Sequence, residues 1–205
     1  MAPKVSEEYL EARKQEILRA AVRAFSRHGF HGATLEHIRE ESGLSRGAVY
    51  HYFKSKEEMI EALQAGWASA DAAFSGTVAR EQSVPEQLAA FVDATFSRLL
   101  GLDMRDANRL GVLLWAESLL NSEIGTGQAK LVDAWRGQVR GMVEQAQRQG
   151  YVDPNLDPSA VTFVLGSLIL GFTMQIAWRV DEEAGRAGSV VRAMLTGRFR
   201  AGVKA

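Results

Sequence analysis

The stretch TLEHIREESGLSRGAVYHYFKSK, Thr34 to Lys56, decides how this chain is read. It reads as a short helix, a tight turn and a second short helix. Thr34 stands where its hydroxyl can cap the first helix by accepting an exposed backbone N–H. Leu35 and Ile38 give that helix an apolar side. Gly43 supplies the break, because glycine takes a left-handed backbone without steric cost. Ser45 stands at the cap of the second helix. Val49 and Phe53, four apart, share a face and point to a core. Arg46, Gly47, Ala48, Tyr50, His51 and Tyr52 are left largely outside. This is helix-turn-helix geometry, in which the second helix enters the major groove of DNA.

The outward residues suit that task. Arg46 begins the second helix, and a guanidinium there can bond guanine O6 and N7 together, a contact worth roughly 1–3 kcal/mol of discrimination. Gly47 costs about 1 kcal/mol of helix propensity relative to alanine, a loss that close approach to a DNA groove would justify. Ala48 suits a thymine methyl, or is simply small.

Working outward, the periodicity predicts helices throughout and no strand. Ser6 to His28 carries an apolar stripe of Leu10, Ile17, Leu18, Ala21, Val22 and Phe25, ended by Gly29. Met1 to Val5 reads as an arm with Lys4 available to a phosphate. Ser55 to Glu58 is a capping box opening a fourth helix to about Phe74, with Met59, Ile60, Leu63 and Trp67 on one side. A loop is expected over Gly76 to Val84, then a helix carrying Leu88, Phe91, Val92, Phe96 and Leu99, and a turn at Gly101 and Asp103. Met104 to Leu120 reads as a helix or broken helix, Asn121 to Gly127 as a loop, and Gln128 to Gln149 as a long helix ended by Gly150. Asp157 and Pro158 stand in N-cap and N1 order before an apolar helix to about Val180. A loop over Asp181 to Gly188 precedes a final helix ending near Phe199.

Composition narrows the function. The chain has 205 residues, a net charge of -1 and no cysteine, which excludes disulfides, thiolate metal sites and cysteine nucleophiles. A near-neutral total neither announces nor refutes a nucleic-acid binder, since a local basic patch is what counts. The four histidines, His28, His31, His37 and His51, lack a helix-spaced metal pattern, and no metal or cofactor is expected. No signal peptide precedes the first helix, so a cytoplasmic protein is expected. Ser159 to Trp178 carries no charge and is long enough to span a membrane. Its Ser, Thr, Gly and Gln residues and the absence of a basic N-terminal flank favour a helix buried on all sides, partly by a partner.

Thr34, Ile38, Gly43, Ser45, Gly47, Tyr50, Phe53 and Lys56, with the upstream Gly29–Thr34 loop and Lys56 to Ile60 downstream, resemble the signature of the tetracycline-repressor (TetR) family of bacterial transcription regulators. The resemblance covers roughly the first third of the chain; the rest is similar in length and helical character only. It implies an all-α protein: a three-helix DNA-binding domain over residues 1–56, a connecting helix 4 over 57–74, and a ligand-binding and dimerisation domain over 75–205. It places Tyr50, His51 and Tyr52 against phosphates and the groove wall, although one tyrosine packing in the core is the plainer reading of that pair. It makes Thr34 and Lys56 phosphate contacts at the two ends of the motif.

The resemblance also implies a cavity for a small-molecule inducer. Phe91, Phe96, Met104, Trp115, Phe172 and Trp178 are its candidate walls, and Glu117, Asn121 and Gln175 its candidate polar groups; an ordinary core is the plainer reading at any one position. The expected partners are double-stranded operator DNA, the inducer, and a second copy joined through the 158–180 and 188–199 helices, with no membrane. Two alternatives stay within regulation: a regulator that answers to no ligand, and an activator. A helix-turn-helix enzyme such as a recombinase would need clustered acidic or nucleophilic residues downstream. No nucleophile–base pair is visible, so nothing supports catalysis. A plain protein-interaction module would not need Arg46, Gly47 and Lys56 at this spacing.

Overall fold

Long amphipathic segments separated by capped turns build this chain. The computed structural model describes residues 6–78, 83–101, 104–178 and 182–195. Among them every regular element is a helix: α1 (Glu7–Gly32), α2 (Leu35–Ser42), α3 (Arg46–Tyr52), α4 (Lys56–Val78), α5 (Val84–Leu100), α6 (Arg105–Glu117), α7 (Ser122–Arg148), α8 (Pro158–Trp178) and α9 (Glu182–Leu195). The expectations for Lys4, Asp103, Val180, Asp181 and Phe199 lie outside the described residues, as do the side chains of Phe74 and Leu88.

Ser6 caps α1 by accepting from the Tyr9 N–H at 3.2 Å. Ile17, Leu18, Ala21 and Phe25 are buried as the stripe predicts, whereas Leu10 is exposed because α1 begins beyond the edge of the core. Gly29, at φ 69° and ψ 172°, breaks α1 where a C-cap glycine is expected, and one further turn reaches Gly32, closed by the Ala33 N–H on the Gly29 carbonyl. The first core gathers α1–α4 around Phe25, Ile38, Val49 and Met59. It also takes in Leu110 and Leu114 of α6 and Ile124 of α7. Two smaller clusters lie beyond it. One joins Phe91 of α5 to Val139 and Val143 of α7; the other joins Val92 and Phe96 of α5 to Val191 of α9, with Phe172 of α8 against them.

Three expected loops are shorter than the sequence suggests. α4 continues through Gly76 to Val78, since a glycine lowers helix propensity without ending a helix. Residues 182–187 are helical, opened by Glu182 and Glu183, acidic residues that favour a helix N-terminus. Residues 122–127 are the first turns of α7. The Asn121 side chain accepts from the N–H groups of Glu123 and Ile124 at 3.1 and 3.2 Å. The glycines of that segment serve contact rather than flexibility: a Cβ on Gly125 would lie 2.8 Å from the Ser118 carbonyl oxygen, and one on Gly127 2.0 Å from Oε1 of the buried Gln64.

α8 is covered by its own chain on one side only, which leaves the part of its surface expected to meet a partner open. Within one chain only Thr162 and Ile176 are buried, while Phe163, Val164, Leu168, Leu170 and Met174 face outward. The helix is long and apolar enough to cross a membrane, with a mean hydropathy of 1.9 over its most apolar window.

Two glycines of α7 give opposite expectations. Gly125→Ala meets a backbone oxygen that cannot swing away and should destabilise the fold by about 1–3 kcal/mol. Gly141 is exposed with open space at its Cβ position, so Gly141→Ala should stabilise it by up to about 1 kcal/mol. Urea unfolding of both variants checks the pair; equal effects would mean that the contact at Gly125 has no energetic weight.

Candidate nucleic-acid interface

The turn between α2 and α3 is built almost wholly from local hydrogen bonds. Thr34 Oγ1 accepts from the His37 N–H at 3.2 Å, and His37 Nδ1 accepts the Thr34 N–H at 3.3 Å. A histidine thus completes a capping box in the place usually held by Glu or Gln. Gly43 is left-handed at φ 68° and ψ 8°, and its N–H reaches the Arg39 carbonyl at 3.0 Å. Ser45 Oγ accepts from the Ala48 N–H at 3.2 Å and opens α3. Ile38, Val49 and Phe53 are buried, which fixes the rotation of both helices and decides what points away.

Arg46, Gly47 and His51 are exposed on α3, and Ala48, Tyr50 and Tyr52 are half-buried. Of the two tyrosines, Tyr52 packs against the core. The Arg46 guanidinium lies over the Tyr50 ring, 5.4 Å from its centroid. No atom lies within 4 Å of a Cβ built on Gly47, so the missing side chain serves no contact inside the protein. Sequence reasoning missed Lys54, whose Nζ donates to the Tyr50 carbonyl at 2.6 Å and closes the end of α3.

Lys56, expected at a phosphate, has partners inside the chain. Its ammonium donates to the carbonyls of Phe30, His31 and Ala33 at 2.7, 3.3 and 2.9 Å and lies 4.9 Å from the Phe30 ring centroid. An ammonium has three N–H donors, and all three have backbone partners here. Only the sequence-distant break in α1 reveals this. Glu41 clamps α2 to α1: it accepts from Arg23 Nε at 2.9 Å and from Arg27, and its own carbonyl accepts from Arg23 Nη2 at 2.8 Å. The Arg23 hydrogen bond, with the nearby charge of Arg27 and Arg23, lowers the Glu41 pKa against the opposing effect of burial.

Only three of the expected inducer residues converge. Phe91, Phe96 and Phe172 do line one narrow apolar crevice with Val92, Thr95 and Leu165, and the rings of Phe96 and Phe172 meet edge-on at 4.9 Å. The others are placed elsewhere. Met104 stands at the start of α6. Glu117 Oε1 pairs with His31 Nε2 at 3.1 Å. Asn121 caps α7. Gln175 folds back on the Gly171 carbonyl at 3.5 Å. Trp115 is partly exposed, and Trp178 is 90% exposed. A wider cleft of about 730 Å³ lies between α4 and α7, lined by Ser55, Glu61, Gln64, Glu123 and Lys130 among others.

Residues 17–63 match the bacterial regulatory proteins of the tetR family, and residues 84–200, more than half the chain, match the C-terminal part of BetI-type transcriptional repressors. The chain belongs to the TetR family. Among curated relatives, the HTH-type transcriptional repressor AcnR of Corynebacterium diphtheriae is 43% identical over 84 residues, 41% of this chain and 42% of that one. The uncharacterised regulator YfiR of Bacillus subtilis is 49% identical over 63 residues, 31% of each chain. The matched stretch therefore spans less than half of either relative. Among solved structures, Salmonella enterica GusR superposes with a TM-score of 0.74 at 24% identity, over 96% of this chain and 98% of that one. Bacillus subtilis FadR in complex with stearoyl-CoA gives 0.74 at 17% identity, over 91% and 99%. A Saccharomonospora viridis regulator in complex with choline gives 0.74 at 24%, over 94% and 97%. At these identities the likeness shows the TetR fold.

Two substitutions test the interface as built. Lys56→Met strands three backbone carbonyls and should destabilise the protein by about 1–3 kcal/mol, while the salt dependence of DNA binding stays the same; a slope reduced by about one phosphate would instead put Lys56 on the DNA. Glu41→Gln should cost about 1 kcal/mol at neutral pH, discounted for partial exposure. Because the folded pKa is lowered, this contribution is present above the ordinary glutamate value of about 4.3 and is lost as pH falls through the folded pKa. The difference between wild type and variant should therefore shrink on acidification, as followed by urea unfolding from neutral to acid pH.

Proposed function

We propose that the chain is a dimeric, ligand-responsive transcriptional repressor that binds operator DNA through α3. The observation that carries this is the outer face of α3. Its inner face is locked by Val49 and Phe53, while Arg46 is exposed and Gly47 stands in open space. A glycine with no neighbour inside the protein suits a helix whose backbone must approach another molecule closely. The relative AcnR is named a transcriptional repressor. In this reading residues 1–56 are the DNA-binding domain, α4 leads out of it, and residues from 75 onward bind ligand and dimerise. Operator binding would make the protein cytoplasmic.

The apolar face of α8 supports a two-fold dimer through α8 and α9. Phe163, Val164, Leu170 and Met174 are large and exposed on one chain, more than a soluble monomer ordinarily presents in one patch. α8 packs along α6 and α7, so its remaining face has room for a partner copy. The inducer would be a small, mainly apolar molecule entering between α5, α8 and α9 beside Phe91, Phe96 and Phe172. FadR of Bacillus subtilis is described with stearoyl-CoA and the Saccharomonospora viridis regulator with choline, so ligands of very different polarity accompany this fold. A ligand acts only through its differential affinity for two conformations, and 1–3 kcal/mol of coupling is typical.

Selection of bound DNA from a random pool should enrich a two-fold symmetric site. Gly47→Ala should keep or raise stability, since the methyl meets nothing, yet weaken binding to that site. A pool that yields no preferred sequence would overturn the reading. Sedimentation should give a dimer for the wild type and monomer or aggregate for Leu170→Glu; a wild-type monomer at micromolar concentration would remove the dimer.

A further inference from the structure

The operator reading leaves open what holds Arg46 in place to read a base. An exposed arginine samples many rotamers, and a bidentate contact needs the guanidinium plane fixed. Arg46 and Tyr50 stand four residues apart on α3, where side chains meet, and the guanidinium carbon lies over the Tyr50 ring at 5.4 Å from the centroid. Guanidinium groups stack well on aromatic faces while keeping their N–H edges free.

The acidic neighbour that could compete is engaged elsewhere. Glu36 lines the same crevice as Arg46 and Tyr50, but its Oε1 accepts from Arg39 Nε at 2.7 Å. Tyr50 is half-buried beside Val49, and its carbonyl accepts from Lys54 Nζ at 2.6 Å, four residues further on. Lys54, just beyond α3, thus closes the helix end on the Tyr50 backbone, while the Tyr50 ring and Arg46 meet on its outer face.

We infer that Tyr50 is a positioning residue for sequence recognition: its ring, rather than its hydroxyl, presets Arg46 for one base pair of each half-site. This rests on the proposal that α3 reads an operator. It differs from a phosphate role for Tyr50 in a way that experiment separates. A hydroxyl on a phosphate would be lost in Tyr50→Phe and would weaken binding to all sequences alike. A ring beneath Arg46 survives that change and acts on preference at one position.

The test measures base preference and salt dependence for the full-length wild type, Tyr50→Phe, Tyr50→Leu, Arg46→Ala and Tyr50→Leu/Arg46→Ala, using the site that the wild type selects. Tyr50→Phe should keep the wild-type preference. Tyr50→Leu should reduce discrimination at the Arg46-dependent base pair roughly 2- to 5-fold, as an exposed cation–π contact allows, with an unchanged salt slope. In the Arg46→Ala background Tyr50→Leu should do nothing more at that base pair, because the two act as a unit. A DNA-free reading guards against misfolding of the leucine variant: the Arg46 Nε–Hε signal should carry an aromatic ring-current shift in the wild type and Tyr50→Phe, and lose it in Tyr50→Leu. The inference is overturned if Tyr50→Phe loses as much preference as Tyr50→Leu, if Tyr50→Leu acts equally with and without Arg46, or if the ring-current shift is absent from the wild type. A wild type that selects no sequence would instead end the operator reading, and this inference with it.

Discussion

One ammonium holds the motif in register. The carbonyls of Phe30, His31 and Ala33 lie at the end of α1, where a helix leaves its last carbonyls without internal donors, and Lys56 Nζ meets all three. Lys56 is also the first residue of α4. The end of α1 is thereby tied to the start of α4, and the intervening α2 and α3 form an excursion closed at its base. Buried carbonyls without donors are costly, so the chain has few ways to let this junction drift. The outward face of α3 inherits its direction from that closure and from Ile38, Val49 and Phe53 beneath it.

That unit has no core of its own. Leu110 and Leu114 of α6 are buried together with Phe25 and Met59, and polar contacts pin the same seam. Ser26, buried in α1, donates to Asp106 Oδ1 at 2.8 Å near the start of α6. His31 and Glu117 meet at its far end. Two routes therefore join the motif to the rest of the chain, α1 on α6 and α4 on α7. The second carries a buried amide, Gln64, which donates to the Ile124 carbonyl at 3.3 Å and to Gln128 Oε1 at 3.5 Å. The sequence points to helix 4 alone as the connection, because its apolar side runs continuously, whereas the α1–α6 seam is made by residues some 80 positions apart and has no local signature.

The same distinction explains what else was legible. Thr34, Gly43 and Ser45 act on residues within four positions, so sequence alone identifies their roles, and the family resemblance agrees with the match over 17–63. The apolar stripe of α1 is likewise periodic and local. Glu117 and Asn121 were harder. A polar residue near apolar neighbours looks the same in sequence whether it caps a helix, bridges to a distant histidine or faces a ligand. Gly125 and Gly127 read as breakers because composition does not distinguish a glycine that bends a chain from one that admits a close neighbour. Lys56 shows the limit from the other side. Its position matches the family pattern, yet its partners are carbonyls of an element that sequence spacing cannot bring to it.

α6 is the element on which these facts meet. It packs on α1 along the seam described above and also on α8, and α8 carries the exposed apolar face proposed for the dimer. Full burial of a large apolar side chain contributes about 1.5–3 kcal/mol, and a two-fold interface counts each such residue twice, so a handful of side chains suffices to fix the axis of the pair. In the proposed dimer, with that axis fixed, the separation of the two α3 helices would be set by how α1 sits relative to α8, and α6 packs against both. Two recognition helices must match half-sites one helical turn of DNA apart, about 34–36 Å. In that proposed dimer a small displacement of α6 against the dimer seat would be read at the DNA as a change of spacing. Packed interfaces switch between discrete arrangements rather than deforming smoothly. In the proposed repressor, a ligand that favours one packing of α6 against α8 needs no contact with the motif to release it.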